Sequence, residues 1–123
     1  MARKIPGEFV PLSSNFSDDP AVLEVGPDAE LLYLRGLQYA KRQRTDGHIP
    51  KVALSTVGRD IRRYTTLPQR LVVAGLWVAV DGGWNIRGWD GWNPTRAERE
   101  ERSAVRRQAA QKRWATRTKG DPQ

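Results

Sequence analysis

The chain has 123 residues, no cysteine, 38% hydrophobic residues and a formal net charge of +7. The lack of cysteine excludes a disulfide framework and a thiolate metal site. No apolar run approaches the roughly 18 residues that predict a membrane-spanning helix. A hydrophobic fraction this low supports one small core, so we expect a single domain with extensions.

The charge falls into three blocks. Residues 1–30 hold two basic and six acidic residues, residues 41–70 hold eight and two, and residues 94–123 hold nine and four. The net charges of these blocks are −4, +6 and +5. Two basic regions after an acidic start favour a polyanionic partner, most often nucleic acid, over an ordinary excess of arginine.

Residues 1–27 are predicted to form an N-terminal extension with one short helix. Residues 1–17 are rich in turn formers, and we expect a loop or an edge strand around EFVPL. SDDPAVLEV predicts the short helix, which Asp18 or Asp19 caps and which has Pro20 in its first turn.

Three helices are predicted in the next fifty residues. The first runs from Pro27 to Arg44 and has the wide apolar arc of a buried central helix. TDGHIP then signals a turn and a short extended piece, and KVALSTVGRDI (residues 51–61) predicts a second helix. The third helix, LPQRLVVAG, is expected to be capped by Thr65 or Thr66 and to end at its glycine.

LWVAVDGGWNIRGW predicts a β-hairpin, because Asp81-Gly82-Gly83 supplies the positive φ values that a tight turn requires. DGWNP then breaks the pattern. Four of the five tryptophans lie in or just after this hairpin. We expect Trp77, Trp84, Trp89 and Trp92 to pack against the core; stacking on unpaired bases and a tryptophan cage for a cation remain open as alternatives.

The C-terminal region predicts a basic helix that reaches Thr118. Thr95 and Glu98 match a capping box, and Glu98 is four residues before Arg102, the favourable spacing for an ion pair. The apolar residues form no stripe, so the helix has little to bury. It is interpreted as a basic arm that follows phosphate, with a solvated helix or an oligomerisation helix anchored by Trp114 as alternatives.

The order helix, extended piece, helix, helix, hairpin is that of a winged helix-turn-helix domain, in which the extended piece adds a third strand to the hairpin wing. The predicted fold class is therefore α+β, mainly α. The domain is expected over residues 28–93, followed by a basic C-terminal helix or tail over residues 94–123.

Three quoted stretches carry a family resemblance. DGHIP, then LPQRLVVAGLWVAVDGGWNIRGWDGWNPTRAE, then RRQAAQKRWA resemble, in this order, small winged-helix proteins encoded by actinobacterial phages and prophages. Proteins of this kind are described as helix-turn-helix DNA-binding or replication-initiation-type proteins. The resemblance covers roughly residues 28–115 and implies a winged-helix fold and DNA binding. It assigns no base-reading residue.

The candidate DNA-binding residues follow from this fold. In the third helix, Gln69 is expected to pair with adenine and Arg70 with guanine in the major groove. The wing contributes Arg87, which the sequence places close to the hairpin tip. The other candidates in the third helix and its preceding linker, and those in the tail, are Arg59, Arg62, Arg63, Thr66, Arg106, Arg107, Lys112, Arg113, Arg117 and Lys119.

The predicted function is double-stranded DNA binding in phage replication initiation or its regulation, in the cytoplasm of the host cell. A protein-interaction module, acting as an adaptor or inhibitor of a host protein, and an architectural cofactor in recombination are the alternatives. A homodimer, or a replication or host protein partner, is also compatible with the sequence. We expect no enzyme activity, cofactor, metal, membrane or small-molecule substrate, because the single histidine, His48, belongs to no catalytic motif.

Overall fold

The computed structural model describes residue 3, residues 5–92 and residues 96–120. It is a mixed α+β structure, mainly helical, with a small three-stranded antiparallel sheet. The chain divides into two compact units, Met1–Asn93 and Pro94–Gln123. Within the described part of the chain, no helix is both long and apolar enough to cross a membrane.

The helices and strands are numbered in chain order. They are α1 (Pro20–Val25), α2 (Pro27–Gln43), β1 (His48–Pro50), α3 (Leu54–Val57), α4 (Leu67–Val73), β2 (Trp77–Val80), β3 (Gly83–Ile86), α5 (Trp89–Trp92) and α6 (Arg96–Gly120). Short 3₁₀ turns lie at Phe16–Asp18, Lys51–Ala53 and Tyr64–Thr66.

Helix α1 begins where the sequence predicts. Asp19 is its cap, because Asp19 Oδ1 accepts a hydrogen bond from Ala21 N–H at 2.9 Å and so satisfies a donor at the helix start. The described residues of the segment 1–17 form no strand, so the loop is correct and the edge strand is wrong. Gly26, at φ +88, leads from α1 directly into α2.

Helix α2 is the centre of the first unit. It has a buried apolar face, as predicted, and this face consists of Ala29, Leu32, Tyr33, Gly36, Leu37 and Ala40. At Gly36 the helix lies close to the sheet, because a Cβ there would come within 2.8 Å of Ile49 Cδ1 and 3.0 Å of Trp77 Cζ2. Tyr33 stacks on Phe16 with ring centroids 5.2 Å apart, and burial raises the pKa of Tyr33.

The sheet has the strand order β1-β3-β2, with both outer strands antiparallel to β3. The extended piece therefore adds a third strand to the hairpin, as predicted. At the tip, Gly82 alone of the three expected residues has a positive φ, +82. Gly83 instead begins β3, where a Cβ would overlap the Ile49 carbonyl oxygen and lie 2.9 Å from Pro50 Cα. Its missing side chain thus allows β1 to pair with β3.

The second predicted helix is shorter than expected. Residues 51–61 were predicted to be helical throughout, but a 3₁₀ turn fills the start and α3 ends at Val57. Gly58 follows the helix as its C-cap and packs closely against Tyr64, since a Cβ at Gly58 would lie 2.7 Å from Tyr64 Cβ. Asp60 then adopts a left-handed conformation at φ 61, which continues no helix.

Helix α4 has its predicted end but not its predicted cap. Thr66 has a right-handed helical backbone, whereas a capping residue needs an extended one, and its hydroxyl donates to the Arg63 carbonyl at 2.8 Å instead. The end is a Schellman motif: Gly75 has φ +80, and Leu76 N–H donates to the Leu71 carbonyl at 2.9 Å. Leu67 and Leu71 are buried against the core.

The tryptophans of the hairpin region are mainly core residues. Trp77 is fully buried and Trp89 is buried at 3% exposure, which confirms core packing for both and removes their rings from base stacking. Trp84 is half-buried and tilted against Trp77, with ring centroids 5.8 Å apart. The one-turn helix α5 begins at Trp89 and covers the first three residues of DGWNP, and the side chain of Trp92 lies outside the described residues.

Helix α6 is the described part of the second unit. Among its described side chains, those of Val105 and Trp114 are exposed, at 58% and 69%. Thr95 and the side chain of Glu98 lie outside the described residues, so the capping box and the pair with Arg102 stay predictions.

Candidate nucleic-acid interface

The turn between α3 and α4 has a backbone held from several sides. The Arg35 guanidinium, on α2, donates to the carbonyl oxygens of Val57 and Arg59. Arg63 adopts a left-handed conformation at φ 56, and both the backbone N–H and the hydroxyl of Thr66 donate to its carbonyl. The turn is therefore joined to the central helix at one end and to the start of α4 at the other.

The predicted basic residues of this turn are exposed. Arg59, Arg62, Arg63 and Arg70 all reach solvent, and no carboxylate of the described residues lies within 4.0 Å of their guanidinium nitrogens. Arg59 donates to the Thr56 carbonyl at 2.9 Å, which leaves its remaining donors facing solvent. Three arginines on the turn and Arg70 on α4, none with a carboxylate of the described residues within 4.0 Å, contribute to a local positive potential.

Two other basic residues of the 41–70 block, Lys41 and Arg44, share one carboxylate. Glu8 Oε2 lies 3.9 Å from Lys41 Nζ, and Glu8 Oε1 lies 3.5 Å from an Arg44 guanidinium nitrogen. The acidic N-terminal block thus meets the basic block at the end of α2.

Three of these arginines line one concavity, which we call the arginine cleft. It lies between the start of α2 and the start of α4 and encloses about 340 Å³. Its polar wall residues are Arg62, Arg63, Thr66, Arg70 and Asp28, and Gly26 and Pro27 line the side formed by the α1–α2 junction. The sequence does not reveal this grouping, because Asp28 and Arg70 are far apart along the chain.

A second groove adjoins the arginine cleft along α4, next to α1. It encloses about 270 Å³ and is lined by Glu24 and Val25 on one side and by Gln69, Arg70 and other α4 residues on the other. Helix α1 therefore flanks the face that was predicted to enter the major groove, and it brings a carboxylate to it. The sequence analysis assigned α1 to an N-terminal extension and did not predict that α1 lies beside α4.

Gln69 and Arg70 are both exposed on α4, as predicted, but they differ in surroundings. Gln69 lines the groove beside α1 but not the arginine cleft, whereas Arg70 lines both concavities. Arg70 is thus grouped with the arginines of the turn.

The position predicted for Arg87 is wrong. Strand β3 ends at Ile86, and the Arg87 N–H donates to the carbonyl of Leu76, the residue before β2, at 3.1 Å. Arg87 is therefore exposed at the base of the hairpin, about 13 Å of strand away from the tip. The cause is the register, which pairs Trp77 with Ile86 and so brings the two strand ends together there.

Lys51 is the basic residue that sequence reasoning missed at the hairpin tip. It follows β1, is exposed, and its backbone N–H donates to the Gly82 carbonyl at 2.9 Å. Lys51 could have been placed at the tip if the pairing of β1 with β3 had been predicted in this register. The acidic residue of the tip, Asp81, is also exposed.

The tail candidates are partly described. Arg106, Arg107, Lys112 and Arg113 are exposed on α6, while the side chains of Arg117 and Lys119 lie outside the described residues. The described side chains therefore present basic groups along at least two turns of helix. They belong to the second unit.

His48 has a structural contact. Its Nδ1 lies 2.8 Å from Asn85 Oδ1, across the β1–β3 pair. Among the described residues, no group of three or more histidine, aspartate or glutamate side chains could hold a metal ion.

Comparison with protein-family models, with curated proteins and with solved structures gave no match. The resemblance to phage winged-helix proteins stays a prediction from the residues that carry it.

Proposed function

We propose that the protein binds double-stranded DNA through a winged helix-turn-helix domain. In this proposal α2, α3 and α4 are the three helices, α4 is the reading helix, and the β2–β3 hairpin is the wing. The element order and the strand order β1-β3-β2 are compatible with that fold.

The observation that carries the proposal is the group of arginines around the α3–α4 turn. They have no acidic partner within the described residues, yet they stand on a backbone fixed by hydrogen bonds from Arg35 and Thr66. Guanidinium groups carried on such a backbone suit phosphate oxygens, which accept two parallel hydrogen bonds. A turn before the reading helix is a position from which such groups reach the DNA backbone.

We propose that this DNA binding acts in replication initiation or its regulation, in the cytoplasm of the host cell. This part of the proposal rests on the resemblance of residues 28–115 to phage and prophage proteins. An architectural role in recombination uses the same surface, and a DNA-bending assay on a circularly permuted duplex separates it from simple site binding.

A salt titration of duplex binding tests the proposal. Fluorescence anisotropy with a random duplex is measured at several sodium chloride concentrations. If the turn and the tail neutralise roughly four to six phosphates, log K falls with log salt at a slope of about −4 to −5. The absence of duplex binding at low salt, or binding indifferent to salt, would reject DNA as the partner.

A protein partner is the second candidate, favoured by apolar side chains that stand in solvent. Phe9 and Ile5 on the N-terminal segment are 80% and 72% exposed, and Trp114 on α6 is 69% exposed. Large exposed apolar side chains are typical of protein-contact surfaces. A protein that fails the salt titration but self-associates, or binds a replication protein, in sedimentation velocity supports this candidate.

A further inference from the structure

We infer that the arginine cleft is a binding site for one phosphate group, supplied by the DNA backbone, and that Arg70 belongs to it and does not read guanine. The DNA source rests on the proposed function. The phosphate chemistry rests on the cleft alone.

The first step is the charge of the cleft. Arg62, Arg63 and Arg70 contribute three positive charges, and Asp28 contributes one negative charge on the opposite wall. None of the three guanidinium groups has a carboxylate within 4.0 Å among the described residues. An excess of two positive charges in a concavity attracts a phosphate more strongly than the same charges on a convex surface, because the walls exclude part of the solvent.

The second step is the role of each wall residue. Arginine presents a planar fork of N–H donors that matches two phosphate oxygens. Thr66 does not compete for this role, because its hydroxyl proton is already donated to the Arg63 carbonyl. Thr66 instead holds the left-handed backbone of Arg63, and thereby the wall of the cleft.

The third step is the size of the cleft. A volume of about 340 Å³ exceeds that of a phosphate alone and accommodates a phosphodiester with parts of its two sugars. The cleft opens beside the start of α4. A backbone phosphate held there would set the position of α4 on the duplex without carrying sequence information. Gln69, which lines the adjoining groove and not the cleft, then remains as the base-reading candidate of this helix.

The first test uses inorganic phosphate. The full-length chain, labelled with ¹⁵N, is titrated with sodium phosphate and, at equal ionic strength, with sodium chloride. We expect the Nε–H signals of Arg62, Arg63 and Arg70 to shift together on one saturating curve with phosphate and not with chloride. Arg59, which lies on the same turn but not in the cleft, is the internal control. No shift, or an equal shift of Arg59, would overturn the cleft as a site.

The second test counts phosphates on DNA. Since the salt slope is about −0.9 per neutralised phosphate, three arginines on one phosphate make the slope of the triple variant R62A/R63A/R70A less steep by about 0.9. Three arginines on three phosphates would change it by about 2.7. The larger change would overturn the shared site while leaving duplex binding intact. On a shared site each single variant leaves two arginines on the phosphate, so we expect its slope to change by much less than 0.9, whereas three separate phosphates would give a change of about 0.9 for each single variant. The single variants therefore decide between the two if the triple variant fails to fold.

The two tests separate the inference from the proposed function. Phosphate shifts without duplex binding keep the phosphate site, reject the DNA source, and point to a free phosphorylated molecule. Duplex binding with no phosphate shift, and with an unchanged slope in the triple variant, rejects the cleft and keeps the proposed function. R59A, a matched loss of one arginine outside the cleft, is expected to leave the phosphate shifts unchanged.

Discussion

The α3–α4 turn and helix α6 are both rich in basic residues, but they hold those residues differently. The arginines of the turn stand on a backbone fixed by Arg35, by the close packing of Gly58 on Tyr64, and by the Thr66 hydroxyl. The basic residues of α6 stand on a helix whose large described apolar side chains, Val105 and Trp114, are exposed. The two basic regions therefore differ in what they suit. The turn is a shaped surface, which suits positioning the protein on DNA, whereas α6 is a solvated helix, which suits affinity without sequence preference.

Removal of residues 103–123 is expected to have the largest effect. Six basic side chains disappear with this segment, and we expect duplex affinity to fall on the order of 100-fold, about equally on every sequence, because phosphate contacts carry little sequence information. The first unit should keep its thermal transition, since its core lies in residues 22–89. Binding isotherms measure the loss of duplex affinity, and thermal unfolding measures whether the first unit stays folded. A truncated chain that binds as tightly as the full chain would contradict the role of α6, and an unfolded one would show that Trp114 is a core or dimer residue.

Substitution of Gln69 by alanine tests whether the shaped surface reads bases. We expect a loss of about 1–3 kcal/mol on a cognate site selected from random duplexes, and little loss on random DNA, because a glutamine–adenine pair is specific to the base. Competition anisotropy with both duplexes gives the difference. Equal losses would make Gln69 a phosphate contact, and no loss on either duplex would mean that α4 does not enter the groove.

Substitution of Gly58 by alanine tests the support of the turn. The added Cβ would lie 2.7 Å from Tyr64 Cβ, and we expect the free energy of unfolding to fall by about 1–3 kcal/mol as the turn is forced apart. Gly91→Ala is the matched control, since, apart from its chain neighbours and the backbone of its own helix, no atom lies within 4 Å of the Cβ it would add. Thermal unfolding should show a drop of roughly 4–8 °C per kcal/mol for Gly58→Ala and little change for the control. Equal transitions for the two variants would show that this packing does not constrain the turn.

Lys51 and Arg87 give the smallest effects and compare the two ends of the hairpin. Lys51 lies beside the tip, next to the Gly82 carbonyl, whereas Arg87 lies at the base. If the hairpin tip approaches the DNA backbone, Lys51→Ala makes the salt slope less steep by about 0.9 and Arg87→Ala leaves it nearly unchanged. The reverse order in anisotropy titrations would show that the base of the hairpin is the part that meets the duplex.

The sequence determined the features that depend on neighbours along the chain. Asp19 before Pro20 predicts the start of α1, the apolar arc predicts the buried face of α2, and Gly75 predicts the end of α4. The hairpin follows from a turn dipeptide between two apolar runs. Each of these signals works because the free energy of a cap, a turn or an amphipathic helix is decided within a few residues.

The tertiary structure alone decided the features that depend on distant residues. Tyr64 packs closely on Gly58 just after the end of α3, and strand β1 passes directly against Gly83. Arg87 lies at the base of the hairpin because the β2–β3 register pairs Trp77 with Ile86. The arginine cleft brings Asp28 and Arg70 to one concavity only when α4 packs on α2. Local propensity carries no information about such contacts, because their free energy arises from surfaces that meet only after the chain has folded.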